Sequence, residues 1–217
     1  MTGLRARQLA HLTRPEARPA LVVVDVQRDF AAPERLAAYG LSDAVLAALD
    51  AAVTRVGQLV EAARAAEVPV AWVELGSDPA RPWRAGNWLR GGDYTGPMAP
   101  DEPCLHGTSG ADWYRLTPAE GEVRVAKRGY SGFFGTDLDA RLRAAGCDWL
   151  TVAGVTSECC VQATAQDAVQ LDWPVVVPRD ATAAYDPAVH TAALAHLGLN
   201  VALLSDVDEV VRLWARD

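Results

Sequence analysis

No apolar run in these 217 residues approaches the roughly 20 needed to cross a bilayer. The N-terminus also lacks the apolar core of a secretory signal, which points to a cytoplasmic protein. Clustered lysine and arginine are missing: the net charge is -8 and the basic residues are scattered among acids, which argues against nucleic acid as a partner. Four cysteines in a chain this long do not make a disulfide framework, and the adjacent Cys159 and Cys160 are badly placed to bond to each other. They read as reduced thiols. Metal-ligand spacing is absent as well, with no C-x-x-C, H-E-x-x-H or D-x-H, and His11, His106, His190 and His196 are dispersed. Neither a catalytic metal nor another cofactor is expected. The chain contains no internal repeat and no low-complexity tract.

What remains is a chain that is 50% hydrophobic, enough for one α/β domain with a sizeable core. Residues 1–19 are polar, Arg-rich and closed by Pro15 and Pro19; they read as a peripheral N-terminal arm with one short helix, ahead of a domain over 20–217. Ala20 to Asp25 (ALVVVD) is a continuous β-branched run, as expected of a strand buried on both faces of a parallel sheet. An alanine-rich amphipathic helix follows from Ser42 or Asp43, either available as N-cap, to about Ala66, and Pro69 to Glu74 supplies the next strand.

Residues 75 to about 120 interrupt this rhythm with glycines, prolines and three tryptophans, Trp83, Trp88 and Trp113; an irregular insertion of that length usually carries function. Alternation then resumes. Strands are expected at Glu122–Lys127, Trp149–Ala153, Pro174–Val177 and Asn200–Leu204, and helices at Asp137–Ala145, Glu158–Gln170, Pro187–His196 and from Asp206. Six strands alternating with helices predict a three-layer, doubly wound, mostly parallel sheet with helices on both faces; a (β/α)₈ barrel needs more chain.

In such a sheet, ligands bind beyond the carboxyl ends of the strands. Asp25 ends the first strand, Lys127 ends the third, and Cys160 falls in the first turn of the helix after the fourth. A helix N-terminus favours a thiolate and offers N–H groups to a developing oxyanion. A nearby carboxylate moves protons, and a lysine offsets and orients it. By position alone Cys159 and Cys160 are both eligible, whereas Cys104 and Cys147 read as small buried hydrophobes.

Three segments then carry a resemblance: Leu21–Phe30 (LVVVDVQRDF), Lys127–Phe133 (KRGYSGF), and Gly154–Val161 (GVTSECCV) continued by Thr164-Ala165 and Asp167-Ala168. In order and content they resemble the isochorismatase-like cysteine hydrolases, a family that includes nicotinamidases and N-carbamoylsarcosine, ureidoacrylate and biuret hydrolases. The resemblance covers about Ala20 to Asp206. It implies that Cys160 is the nucleophile, Asp25 the general base and Lys127 its supporting charge, with Cys159 as packing. It also implies a cis Val155–Thr156 peptide that aims the Thr156 N–H, with that of Cys160, into an oxyanion hole. Assembly as a homodimer or homotetramer is a further implication.

Departures from the family pattern narrow the expectation. Nicotinamidases carry an Asp and His metal cluster after the second strand, and here Leu75-Gly76-Ser77-Asp78-Pro79 has no histidine. Isochorismatases that cleave a vinyl ether typically lack the nucleophilic cysteine. The expected reaction is therefore hydrolysis of a C–N bond in a small amide or ureido substrate, N-carbamoyl or biuret-like, through a thioester. A vinyl-ether hydrolase and a non-catalytic member of the fold are the alternatives. Candidate substrate contacts are Phe30, Tyr130, Phe133 and Glu158, beside matched motifs, and Trp83 and Arg84 from the insertion's cluster of Trp83, Arg84, Asn87, Trp88 and Arg90. That cluster has two readings side by side: one arginine pairs with a substrate carboxylate, or the tryptophans pack a loop or a subunit interface.

Overall fold

The computed structural model describes residues 2–215. Its seven strands are β1 (Pro19–Val24), β2 (Val70–Leu75), β3 (Val123–Lys127), β4 (Trp149–Val155), β5 (Val175–Pro178), β6 (Thr182–Ala183) and β7 (Leu203–Ser205). They form one sheet in the order β3-β2-β1-β4-β5-β7, with β6 pairing β4, and every pairing is parallel. The sequence expectation of six strands omits β6, a two-residue strand too short to carry any periodicity.

The continuous apolar run of β1 has a direct structural cause. Leu21 and Val23 join one core, with residues of helix α4 (Asp43–Ala65) and helix α9 (Val207–Trp214); Ala20, Val22 and Val24 join the other, with residues of α6 (Leu138–Ala144), α7 (Gln162–Gln170) and α8 (Pro187–Asn200). Successive side chains of a strand point to opposite faces, and both faces here are covered, so neither tolerates a polar residue. Helix α4 buries Val45, Leu49, Ala52, Val53, Val56, Leu59, Val60 and Ala63, the three- and four-residue spacing of a single apolar stripe. Its N-cap is Ser42, whose Oγ accepts from the Val45 N–H at 3.4 Å. Asp186 and Asp206 cap α8 and α9 in the same way.

The N-terminal segment carries one helix and packs onto the sheet domain. Helix α1 (Thr2–Leu12) sends Arg5 to Glu209 at 2.6 Å and to the Leu204 carbonyl at 3.1 Å, and Leu12 and Ala17 are buried in the first core. Short helices α2 (Arg28–Ala31) and α3 (Pro33–Leu36) follow β1, and α5 (Arg84–Gly91) lies in the insertion. Helix α8 continues to Asn200, past the expected His196, so β7 begins at Leu203 and not at Asn200. Among the described residues no helix is long and apolar enough to cross a membrane.

Candidate active site

The strand order reverses between β1 and β4. Chain order runs outward from β1 through β2 to β3, then returns to β4 on the other side of β1. That is the topological switch point at which doubly wound sheets open a crevice. Asp25 follows β1 immediately and adopts a left-handed φ of 51°, unusual for a residue other than glycine. The segment after β4 lies across the gap. Gly154 has φ 125°, and a Cβ there would stand 2.0 Å from the Val24 carbonyl oxygen, so only glycine lets β4 approach β1 this closely. The Val155–Thr156 peptide is cis. Ser157–Val161 then forms a single π-helical turn leading into α7, with the Cys159 and Val161 N–H groups both donating to the Thr156 carbonyl at 3.2 Å. The helix expected from Glu158 therefore starts as a wider turn, a feature often found at functional sites.

Lys127, the only lysine in the sequence, ends β3 two strands from β1 and reaches inward. Its Nζ lies 2.8 Å from Asp25 Oδ2 and 3.4 Å from Cys160 Sγ, and donates to the Gly129 carbonyl at 2.9 Å. The Asp25 and Lys127 side chains are 1% and 0% exposed, so this is an ion pair removed from water, where breaking one partner is costly. Burial pushes the Asp25 carboxyl above its usual range, against the opposing pull of Lys127. Lys127 is held above the ordinary lysine range because the charges of Asp25 and Cys160 outweigh its desolvation. The contact with Cys159 Sγ at 3.9 Å, burial and the charge of Asp25 push the Cys160 thiol well up, with Lys127 pulling the other way.

Above this cluster opens a cavity of about 230 Å³ lined in part by Asp25, Thr156, Cys159 and Cys160. Phe30, Trp83, Tyr130 and Glu158 line it, and the Trp83 and Tyr130 rings meet edge to face at 4.8 Å. Two expected contacts do not. Phe133 is buried in the core cluster that also holds Val73 and Leu138. Arg84 points away, its Nη1 reaching the Tyr94 carbonyl at 3.4 Å. The helical phase of α5 explains the latter: Trp83 and the residue seven positions on, Arg90, share a face, and Arg90 lies over the Trp83 ring at 5.8 Å. Arg90 therefore lines the cavity in place of Arg84, paired with Glu102. Of the insertion's other tryptophans, Trp88 is exposed and Trp113 packs edge-on against Trp72.

Several residues with no evident sequence signal complete the site. Met98, Glu102 and Pro103 come from irregular chain, Arg128 from the turn after β3, and Tyr185 from beyond β6. Gln27 is buried; its amide donates to the Leu75 and Ala111 carbonyls at 3.0 and 2.9 Å and accepts from the Leu75 N–H at 2.8 Å. Asp29 accepts from the Cys104 N–H at 2.8 Å. Both tie the insertion to the end of β1, so their place in the first motif is explained by loop anchoring. Ser157 Oγ lies 2.9 Å from His190 Nδ1, and Thr156 Oγ1 donates to Glu158 Oε1 at 2.9 Å. Among the described residues no group of three or more His, Cys, Asp or Glu is arranged to hold a metal ion.

Fold and site together define a doubly wound α/β protein with a ligand-sized cleft at its switch point and a thiol on the cleft floor. The isochorismatase domain matches residues 19–209, and the chain belongs to that family. It is 32% identical over 197 residues to the ureidoacrylate amidohydrolase RutB of Methylobacterium radiotolerans, covering 86% of this chain and 76% of the relative. To the protein of that name in Azorhizobium caulinodans it is 31% identical over 217 residues, covering 91% and 90%. Among solved structures, N-carbamoylsarcosine amidase from Thermoplasma acidophilum superposes with a TM-score of 0.68 at 27% identity, covering 88% of this chain and 97% of that one.

Proposed function

We propose that this protein is a cysteine hydrolase that cleaves a C–N bond of a small amide or ureido substrate through a thioester on Cys160. The observation that carries this reading is the placement of one ammonium, Lys127 Nζ, 2.8 Å from a buried carboxylate and 3.4 Å from a buried thiol on the floor of the cavity. A purely structural ion pair has no need of a thiol beside it. The relatives named as amidohydrolase and amidase support the same class of bond.

In this mechanism Asp25 takes the proton of Cys160 as the sulfur attacks the substrate carbonyl. The backbone N–H groups of Thr156 and Cys160, at the mouth of the turn, receive the oxyanion. Lys127 stays charged and keeps Asp25 in the carboxylate form between proton transfers. As the tetrahedral adduct collapses, the C–N bond breaks and Asp25 gives its proton to the leaving nitrogen. Asp25 then takes a proton from water, which attacks the thioester and releases the acid; the proton returns to Cys160 Sγ. For a ureido substrate the acid released is a carbamic acid, which decomposes to carbon dioxide and an amine or ammonia.

Ammonia release from a panel of primary amides, N-carbamoyl compounds, biuret and isochorismate tests the reading. Turnover of an amide or ureido compound that disappears in Cys160→Ala supports it. Turnover of isochorismate alone, without nitrogen release, replaces it with vinyl-ether hydrolysis. Assembly as a homodimer or homotetramer belongs to the same proposal and is measured by sedimentation.

A further inference from the structure

Cys160 has a second thiol beside it that the proposed mechanism does not use. Cys159 Sγ stands 3.9 Å from Cys160 Sγ and accepts its S–H, and both residues line the cavity. Cys104 and Cys147 are buried and do not line it. The shared proton marks both groups: the bond from Cys160 holds the Cys159 thiol below its ordinary range, and the same contact holds Cys160 above it.

Geometry separates what such a pair can do. The Cys159–Cys160 peptide is trans, so its Cα atoms stand about 3.8 Å apart, short of the roughly 4.4 Å that a relaxed disulfide needs. Chelation asks for something different. Two thiolates on one tetrahedral zinc ion, each at about 2.3 Å, stand about 3.8 Å apart, and these sulfurs already stand 3.9 Å apart. The adjacency that hinders a disulfide therefore favours a shared ion. The π-helical turn holds the spacing, since the Cys159 and Val161 N–H groups on either side of Cys160 both donate to the Thr156 carbonyl. Glu158 adds a carboxylate to the cavity wall from the same turn, whereas the Lys127 ammonium, 3.4 Å from Cys160 Sγ, is balanced by Asp25.

We propose that Cys159 and Cys160 form a two-thiolate binding site for thiophilic divalent cations of the zinc and cadmium kind, and that an ion bound there silences the nucleophile. Two S–H bonds break and two S–metal bonds form, with both protons leaving to water, so no oxidant or reductant takes part. Among the described residues no third His, Cys, Asp or Glu is arranged to join them. Water from the cavity fills the ion's remaining positions, which makes the ion exchangeable and not structural. Sulfur ligands select zinc and cadmium against magnesium and calcium, which take oxygen. The site stands on its own geometry, and only its consequence, loss of turnover, rests on the proposed reaction.

Cadmium titration of the reduced, metal-free wild-type protein, followed by thiolate-to-cadmium charge-transfer absorption, tests the site. One ion binds per chain, zinc displaces it and magnesium does not. Cys159→Ser and Cys160→Ser each weaken binding by at least about tenfold. In the wild type, bound zinc slows alkylation of Cys159 and Cys160 together, read by peptide mass spectrometry, a measure that needs no variant. Absence of the charge-transfer band, wild-type affinity in Cys159→Ser, or protection of Cys160 alone overturns the site. During turnover, the zinc concentration that halves the rate rises at least about tenfold in Cys159→Ser, each protein compared with its own uninhibited rate; equal inhibition of the two proteins overturns the silencing. A chelating protein that turns over no amide or ureido compound supports the site and overturns the proposed reaction instead.

Discussion

Replacing Lys127 with methionine removes the ammonium and keeps most of the apolar stem. Asp25 is then a carboxylate with a fully buried side chain and no counter-charge, a change that costs about 3–5 kcal/mol when one partner of a buried pair is lost. In a chain of this size that is a fall in Tm of roughly 6–20 °C. The deficit depends on pH, with a defined sign. Burial already raises the Asp25 carboxyl above its unfolded value near 3.8, and loss of Lys127 raises it further. A group whose pKa is raised on folding contributes stability that is present in full below the unfolded value and is lost as pH rises through the folded one. Lys127→Met is therefore closest to wild type at the acid end of the range and falls further behind as pH rises above the ordinary carboxylate value. The Asp25→Asn, Lys127→Met double variant, with both charges gone, recovers much of the loss. Calorimetry or circular dichroism across pH 5–8.5 reads all three proteins. A deficit under about 1 kcal/mol, or one that is flat with pH, refutes the claim that a desolvated ion pair holds the site.

Further expectations follow from the same geometry. Gly154→Ala places a Cβ 2.0 Å from the Val24 carbonyl oxygen at φ 125°; it yields no soluble protein or a loss of about 4 kcal/mol or more, and a near-wild-type Tm contradicts the close β1–β4 approach. Cys159→Ala retains kcat/KM within about threefold on the accounting that Cys159 does no chemistry, and loss of turnover contradicts it. Because the Cys159 contact is the largest influence holding the Cys160 thiol up, the same variant moves the pH midpoint of Cys160 alkylation downward; an unchanged midpoint removes that coupling. The acid limb of kcat/KM, where Asp25 takes a proton and ceases to act as a base, lies above the ordinary carboxylate value, and a limb at or below 3.8 removes Asp25 from that role.

The parallel sheet was legible because β1 and β4 are buried on both faces and so lack any polar alternation, as ALVVVD and WLTVAGV show. Asp25 stood out for a related reason, as a charge at the end of such a run, whereas Lys127 ends the edge strand β3, where Arg124 and Ala126 are exposed. Other features left no such mark. Thr182-Ala183 is too short for a period, and the burial of Leu12 and Ala17 depends on partners such as Trp214 and Val210 at the far end of the chain. Arg84 and Arg90 are alike in composition and differ only in helical phase, which required recognising α5 inside a Gly- and Pro-rich insertion. Phe133 shares its motif with Tyr130, yet the turn between them sends one ring into the core and the other to the cavity.

The central claim is covalent chemistry at one of two adjacent thiols. Rapid acid quenching of the wild-type protein during turnover of a ureido or amide substrate, followed by peptide mass spectrometry, tests it directly. The account predicts an acyl adduct on Cys160, absent in Cys160→Ala and retained in Cys159→Ala. An adduct on Cys159, or full turnover by Cys160→Ala, contradicts it.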